Sequence, residues 1–172
     1  AHVTLKDRDA GGSARVADRD FAAGRVRAVG ELLRADAGWT NALLTAAADD
    51  LEKGRNREYP TRHLLGALAA RHGRLDIAAV QFRQAVAAAP RDTQGAAYSA
   101  LIDVLWRSRR PADVAALCRE GLRGADGVSP AYLNSHLAYA LAELGDAADA
   151  LTAADRAIAQ AGDSDRFLRR LR

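Results

Sequence analysis

The sequence predicts an all-α protein built from antiparallel helix pairs that recur every 36 residues. Three observations lead there. Apolar residues make up 49% of the 172-residue chain but aromatic ones only 5%, so alanine, leucine and valine carry the apolar mass. Alanine and leucine are strong helix formers. Residues of related size then recur at one spacing: Val29, Leu65, Leu101 and Leu137; Leu33, Ala69, Leu105 and Leu141; Ala42, Ala78, Val114 and Ala150. Finally, the four prolines and several glycines sit where such helices would begin and end.

Taken in order, residues 1–22 are polar with Gly11-Gly12-Ser13 in the middle, which reads as a flexible tail or linker. A short strand at Val3–Leu5, left from a neighbouring domain, is the alternative. Helices are expected at 23–37 and 40–54, with Gly38 loosely at the turn. This first unit is the weakest, because Asp49 occupies a place held elsewhere by Ala85, Gly121 and Ala157. A helix at 60–72 opens on Pro60, where the missing N–H costs nothing. It closes at Gly73, suited to a left-handed residue. The helix at 75–88 carries Ala78, Phe82 and Ala85 and is stopped by Pro90. Helices follow at 95–108, with Arg109 at the turn, and at 111–123, opening on Pro111 and carrying Cys118. The last pair is 131–144, preceded by Pro130, and 147–161, capped by Asp146 after Gly145. A ninth helix is expected to start near Ser164, so that 164–172 caps the array or opens a further repeat.

These residues resemble the tetratricopeptide repeat (TPR) family. The unit 59–92 carries the pattern best, with Leu65-Gly66 on the first helix, Gly73 at the turn, Ala78, Phe82 and Ala85 on the second, then Pro90. The unit 131–164 follows it through Leu137-Ala138, Gly145, Ala150, Ala154 and Ala157, while 95–128 is degenerate and 23–58 more so. The repeat is two residues longer than the family's usual length of about 34; the extra residues are expected in the connections, at 91–93 and 127–130. The resemblance implies a right-handed superhelical solenoid of about four repeats over residues 23–163. Its small residues would sit where paired helices approach closely.

The resemblance further implies a concave face lined by the first helix of each unit. Its inward, exposed positions are Arg27, Glu31 and Arg34; His63 and Arg71; Ser99, Asp103, Trp106 and Arg107; and Tyr132, Ser135, His136, Tyr139 and Glu143. Arg71, Asp103, Trp106, Arg107, Tyr132, Ser135, Tyr139 and Glu143 are the candidate partner-binding residues. Aromatic side chains flanked by arginine are typical of interface hot spots. Packing between neighbouring helices is the other reading of the same residues. Some TPR domains clamp a chaperone's C-terminal carboxylate with two lysines, two asparagines and an arginine. His63, Ala67, Ala100, Ser135 and Tyr139 stand in those places here, which argues against that partner.

The remaining chemistry is sparse. The net charge is +3, with arginines interleaved among acids. Asp103, Asp113, Asp163 and Asp165 break up the clusters at Arg107–Arg110 and Arg166–Arg172, which argues against a nucleic-acid footprint. No run of about 18 apolar residues is present to insert into a membrane. The histidines lack metal-ligand spacing, no cofactor motif appears, and the single Cys118 falls on a core position, where a buried inert thiol is expected. The absence of methionine leads us to expect a processed or excised piece, cytoplasmic unless an export signal has been removed. The expected function is therefore non-enzymatic recognition of a peptide or protein segment. A structural spacer or oligomerisation role in a larger protein, or an accessory role to an absent catalytic domain, stays open.

Overall fold

A computed structural model describes residues 22–32 and 40–161, and every regular element among them is helical. Helix α1 covers residues 22–32. It is followed by α2 (Thr40–Lys53), α3 (Tyr59–Arg71), α4 (Leu75–Ala88), α5 (Arg91–Arg107), α6 (Pro111–Gly124), α7 (Pro130–Glu143) and α8 (Ala147–Ala161). The chain divides after Ala88 into two units, α1–α4 and α5–α8. The expected tail, the Gly38 turn, Leu33, Arg34 and the ninth helix lie outside the described residues.

Helix boundaries follow the local chemistry. Pro60, Pro111 and Pro130 occupy the first turns of α3, α6 and α7. Gly73 and Gly145 adopt φ +77° and +82°. Arg109, the non-glycine at the same place in the repeat, adopts φ 54°. The turn geometry therefore persists where the glycine does not, at the expense of a left-handed backbone that L-residues resist. Before α8, the Asp146 carboxylate accepts from the Asp149 amide at 3.3 Å, filling one orphan donor of the first turn.

In the first unit α3 and α4 pack closely along their length. Leu65, Gly66, Ala69, Ala78, Phe82 and Ala85 are all buried there. A Cβ on Gly66 would come within 2.8 Å of the Phe82 ring, so the glycine makes the seat for the aromatic. In the second unit α7 packs closely on both α6 and α8. Here Val114, Cys118, Gly121, Leu137, Ala138, Leu141, Ala150 and Ala157 are buried. The positions of the 36-residue repeat are thus core positions from α3 to α8, with Ala154 half-exposed.

Two expectations are corrected. Helix α5 begins at Arg91, not at residue 95, so 91–93 are its first turn and not an inserted connection. Residues 127–130 do fall between helices except for Pro130, and the two stretches meet. The Gly127 amide donates to Gln94 Oε1 at 2.9 Å, and a Cβ on Gly127 would collide with the Arg91 carbonyl. The added turn of α5 and the longer α6–α7 loop are therefore one packed feature. The second correction concerns α2, where Ala42, Ala46 and Asp49 are exposed and Leu44, Ala47 and Leu51 are buried instead. Alanine occurs on several sides of this helix, so leucine decides which side turns inward.

Candidate functional site

The second unit brings most of the predicted partner-binding residues together. Ser99, Asp103, Trp106 and Arg107 rise along one side of α5 at helical spacing, and Tyr132, Ser135, His136 and Tyr139 do so along α7. The two rows are joined by a hydrogen bond from the Trp106 indole Nε1 to His136 Nδ1 at 3.2 Å. That bond requires a neutral imidazole whose remaining proton is on Nε2. The Tyr132 ring meets His136 edge-on, with centroids 4.5 Å apart. Ser135 turns its hydroxyl onto the Tyr132 carbonyl at 2.8 Å.

Trp106, Tyr132, Ser135 and His136 are half-buried, whereas Ser99, Asp103, Arg107, Tyr139 and Glu143 are exposed. Burial holds the His136 imidazole below its ordinary pKa of 6.5. Burial also raises the Tyr132 phenol above 10.0, opposed by a hydrogen bond with Ser99 and helped by the negative charge of Asp103. Asp103 and Arg107 form an ion pair at 3.5 Å across one helical turn. An exposed pair of this kind is worth less than about 1 kcal/mol. The result is a packed aromatic floor bordered by charge, with the exposed Tyr139 on the same helix.

Arg71 is exposed on α3 of the first unit, as are Arg27 and Glu31 on α1. His63, like His136, is half-buried, its ring tilted against Tyr59 and Phe82 with centroids 5.3 Å and 5.2 Å away. Burial lowers its pKa too. It lies beside the Phe82 ring that the absent side chain of Gly66 makes room for. Cys118 is fully buried, and burial raises its thiol to about 12, which leaves it unreactive at neutral pH. Among the described residues no group of three His, Cys, Asp or Glu could hold a metal ion, and no helix is long and apolar enough to cross a membrane.

Sequence reasoning missed Arg62, which is 1% exposed. Its guanidinium donates to Glu52 Oε1 at 2.6 Å, Gln81 Oε1 at 2.8 Å, the Asn56 carbonyl at 2.6 Å and the Leu51 carbonyl at 3.1 Å. It thereby ties the C-terminal end of α2 and the loop after it to α3 and α4, sharing the Leu51 carbonyl with the Asn56 amide. Its signal was the spacing Arg62, Leu65, Ala69, which puts the arginine on the apolar stripe of α3. The same place in the repeat holds Val26, Tyr98 and Asn134, all buried. Asn134 donates to Gln160 Oε1 at 2.8 Å.

A larger space, about 890 Å³, opens in the first unit between α1 and α2. It is lined by Val26, Val29, Leu32, Leu43, Ala47 and Leu51 among others. None of the predicted partner-binding residues borders it. Comparison with known proteins finds no family model that matches this sequence, and no curated protein is significantly similar to it.

Proposed function

We propose that this chain is a helical-repeat module of the tetratricopeptide type that recognises a peptide or protein segment on the α5/α7 face, without catalytic chemistry of its own. The observation that carries the reading is the joined Trp106–His136–Tyr132 cluster with Asp103, Arg107 and Tyr139 around it. Half-buried rings held rigidly by one another lose little entropy when a partner covers them. The surrounding charges then select among partners and orient them. Repeat character is supported by the burial of the 36-residue positions and by the positive φ at residues 73, 109 and 145.

The role of structural spacer rests on a specific observation of its own: Trp106, Tyr132 and His136 already satisfy one another, as packed inter-helix contacts do. One experiment separates the two. The purified chain is immobilised, exposed to lysate of the source cell, and compared with Tyr139→Ala and Asp103→Lys variants of unchanged helicity. Tyr139 is 40% exposed and Asp103 projects into solvent, so neither change should unfold the protein. Recognition on this face predicts that proteins retained by the parent are lost from both variants. Identical retention by all three would favour the spacer role.

A further inference from the structure

A second groove, of about 640 Å³, runs over the second unit between α6, α7 and α8. Its floor includes Leu122, Leu137 and Leu141, and Arg119, Arg123 and Arg156 line it against a single acid, Asp149. The spacing explains how the lining forms. Arg119, Leu122 and Arg123 share one side of α6; Asp149, Thr152, Ala153 and Arg156 share one side of α8; and Leu137 and Leu141 come from α7. We propose that this groove docks an acidic amphipathic segment of a partner protein, its apolar side chains on the leucine floor and its carboxylates on the arginines.

The charge pattern carries the proposal. Three arginines line the groove against one acid, so its rim carries an excess of positive charge beside the leucine floor. Among the described residues Arg119 and Arg156 form no ion pair, and Arg123 donates only to the Arg119 carbonyl, at 3.2 Å. The neighbouring acids Glu120 and Asp155 are adjacent in sequence to Arg119 and Arg156, and such neighbours on a helix point away from one another. Among the described residues three guanidinium groups thus lie beside apolar surface without an ion pair, with Asp149 the one acid in the lining. A nucleic acid would gain nothing from the leucines, and no aromatic residue lines the groove for a base to stack on. The chain's own residues 162–172 carry four arginines against two aspartates, the wrong sign for this surface.

The test uses the whole chain and a fluorescein-labelled amphipathic peptide with glutamates along one face and leucines along the other. Fluorescence anisotropy should show binding that weakens with added salt. Arg119→Glu and Arg156→Glu should each weaken it by about ten-fold or more, as loss of a charge-assisted contact does, and Asp149→Ala should tighten it. Tyr139→Ala, on the α5/α7 face, should leave it unchanged, so that this proposal and the one above fail separately. Absence of binding, equal affinity in an Arg119→Glu/Arg156→Glu double variant, or tighter binding of an oligothymidylate than of the peptide would each overturn the proposal.

Discussion

The pairs α3/α4 and α5/α6 solve one packing problem in opposite ways. In α3/α4 the glycine is on the first helix and the aromatic on the second: Gly66 makes room for Phe82. In α5/α6 the aromatic is on the first helix and the glycine on the second. A Cβ on Gly121 would lie 2.8 Å from Tyr98 Cε1 and 2.8 Å from Leu133 Cδ1. Where Gly66 and Phe82 stand in one pair, Ile102 and Cys118 stand in the other. With Ile102 and Leu105 in place of Gly66 and Ala69, α5 and α6 approach less closely than α3 and α4, as expected when side-chain size sets the interaxial distance. The repeat conserves filled volume rather than residue identity at each place.

The largest test of that comparison is removal of the filler. Phe82→Ala and Tyr98→Ala should each cost about 3–5 kcal/mol in urea unfolding, because each empties a buried seat. Cys118→Ala, at the place of Phe82, should cost only about 1 kcal/mol, the value of one small apolar group. A large loss at Cys118 together with a small one at Tyr98 would break the exchange of roles.

Filling the seat should have a smaller effect. Gly66→Ala and Gly121→Ala each force a methyl against a buried ring, costing about 1–3 kcal/mol; the better helix propensity of alanine offsets about 1 kcal/mol of it. Gly124→Ala, whose Cβ would meet nothing within 4 Å, should be neutral or slightly stabilising. The comparison sharpens in a double variant: Phe82→Leu should recover part of the loss in Gly66→Ala and none of it in Gly121→Ala, since only contacting residues couple.

The exchange also shows what was readable in advance. Small residues at 78, 85, 121, 150 and 157 announced the core of α4, α6 and α8, because alanine and glycine at fixed spacing leave few other ways to pack helices. The inward face of α2 was hidden by alanines on several sides. Arg62 was hidden because a charge is normally assigned to solvent, although its register matched Leu65. Of the candidate site, the two rows on α5 and α7 followed from the repeat. The Trp106–His136 bond did not, because those residues hold different places in it and meet only through side-chain length.

The turns give a test of smaller magnitude. Arg109 holds the backbone that glycine holds at Gly73 and Gly145. A left-handed L-residue costs about 1–2 kcal/mol, and glycine gives back part of that through the entropy of the unfolded chain. Arg109→Gly should therefore stabilise the second unit by about 0.5–1 kcal/mol, read as a raised Tm. Gly145→Ala should lower it by a similar amount. A destabilising Arg109→Gly would mean that the arginine side chain contributes more than its backbone loses.

The two packed histidines differ in the same spirit and give the subtlest test. His63 lies against rings in the first unit, and His136 in the second also accepts a hydrogen bond from Trp106. Burial lowers both folded pKa values below the ordinary 6.5, so in that window the unfolded chain binds more protons than the folded one. Stability should be full above the unfolded value, fall as pH drops through it toward the folded value, and flatten below. At His136 protonation of Nδ1 also removes the acceptor of the Trp106 bond, so the loss should be accompanied by a change in indole fluorescence, read in a Trp39→Phe background. His136→Gln should reduce the pH slope of stability and abolish the fluorescence change, whereas His63→Gln should reduce the slope alone. A fluorescence change that survives His136→Gln would detach the indole from the imidazole and undo the floor on which the proposed binding face is built.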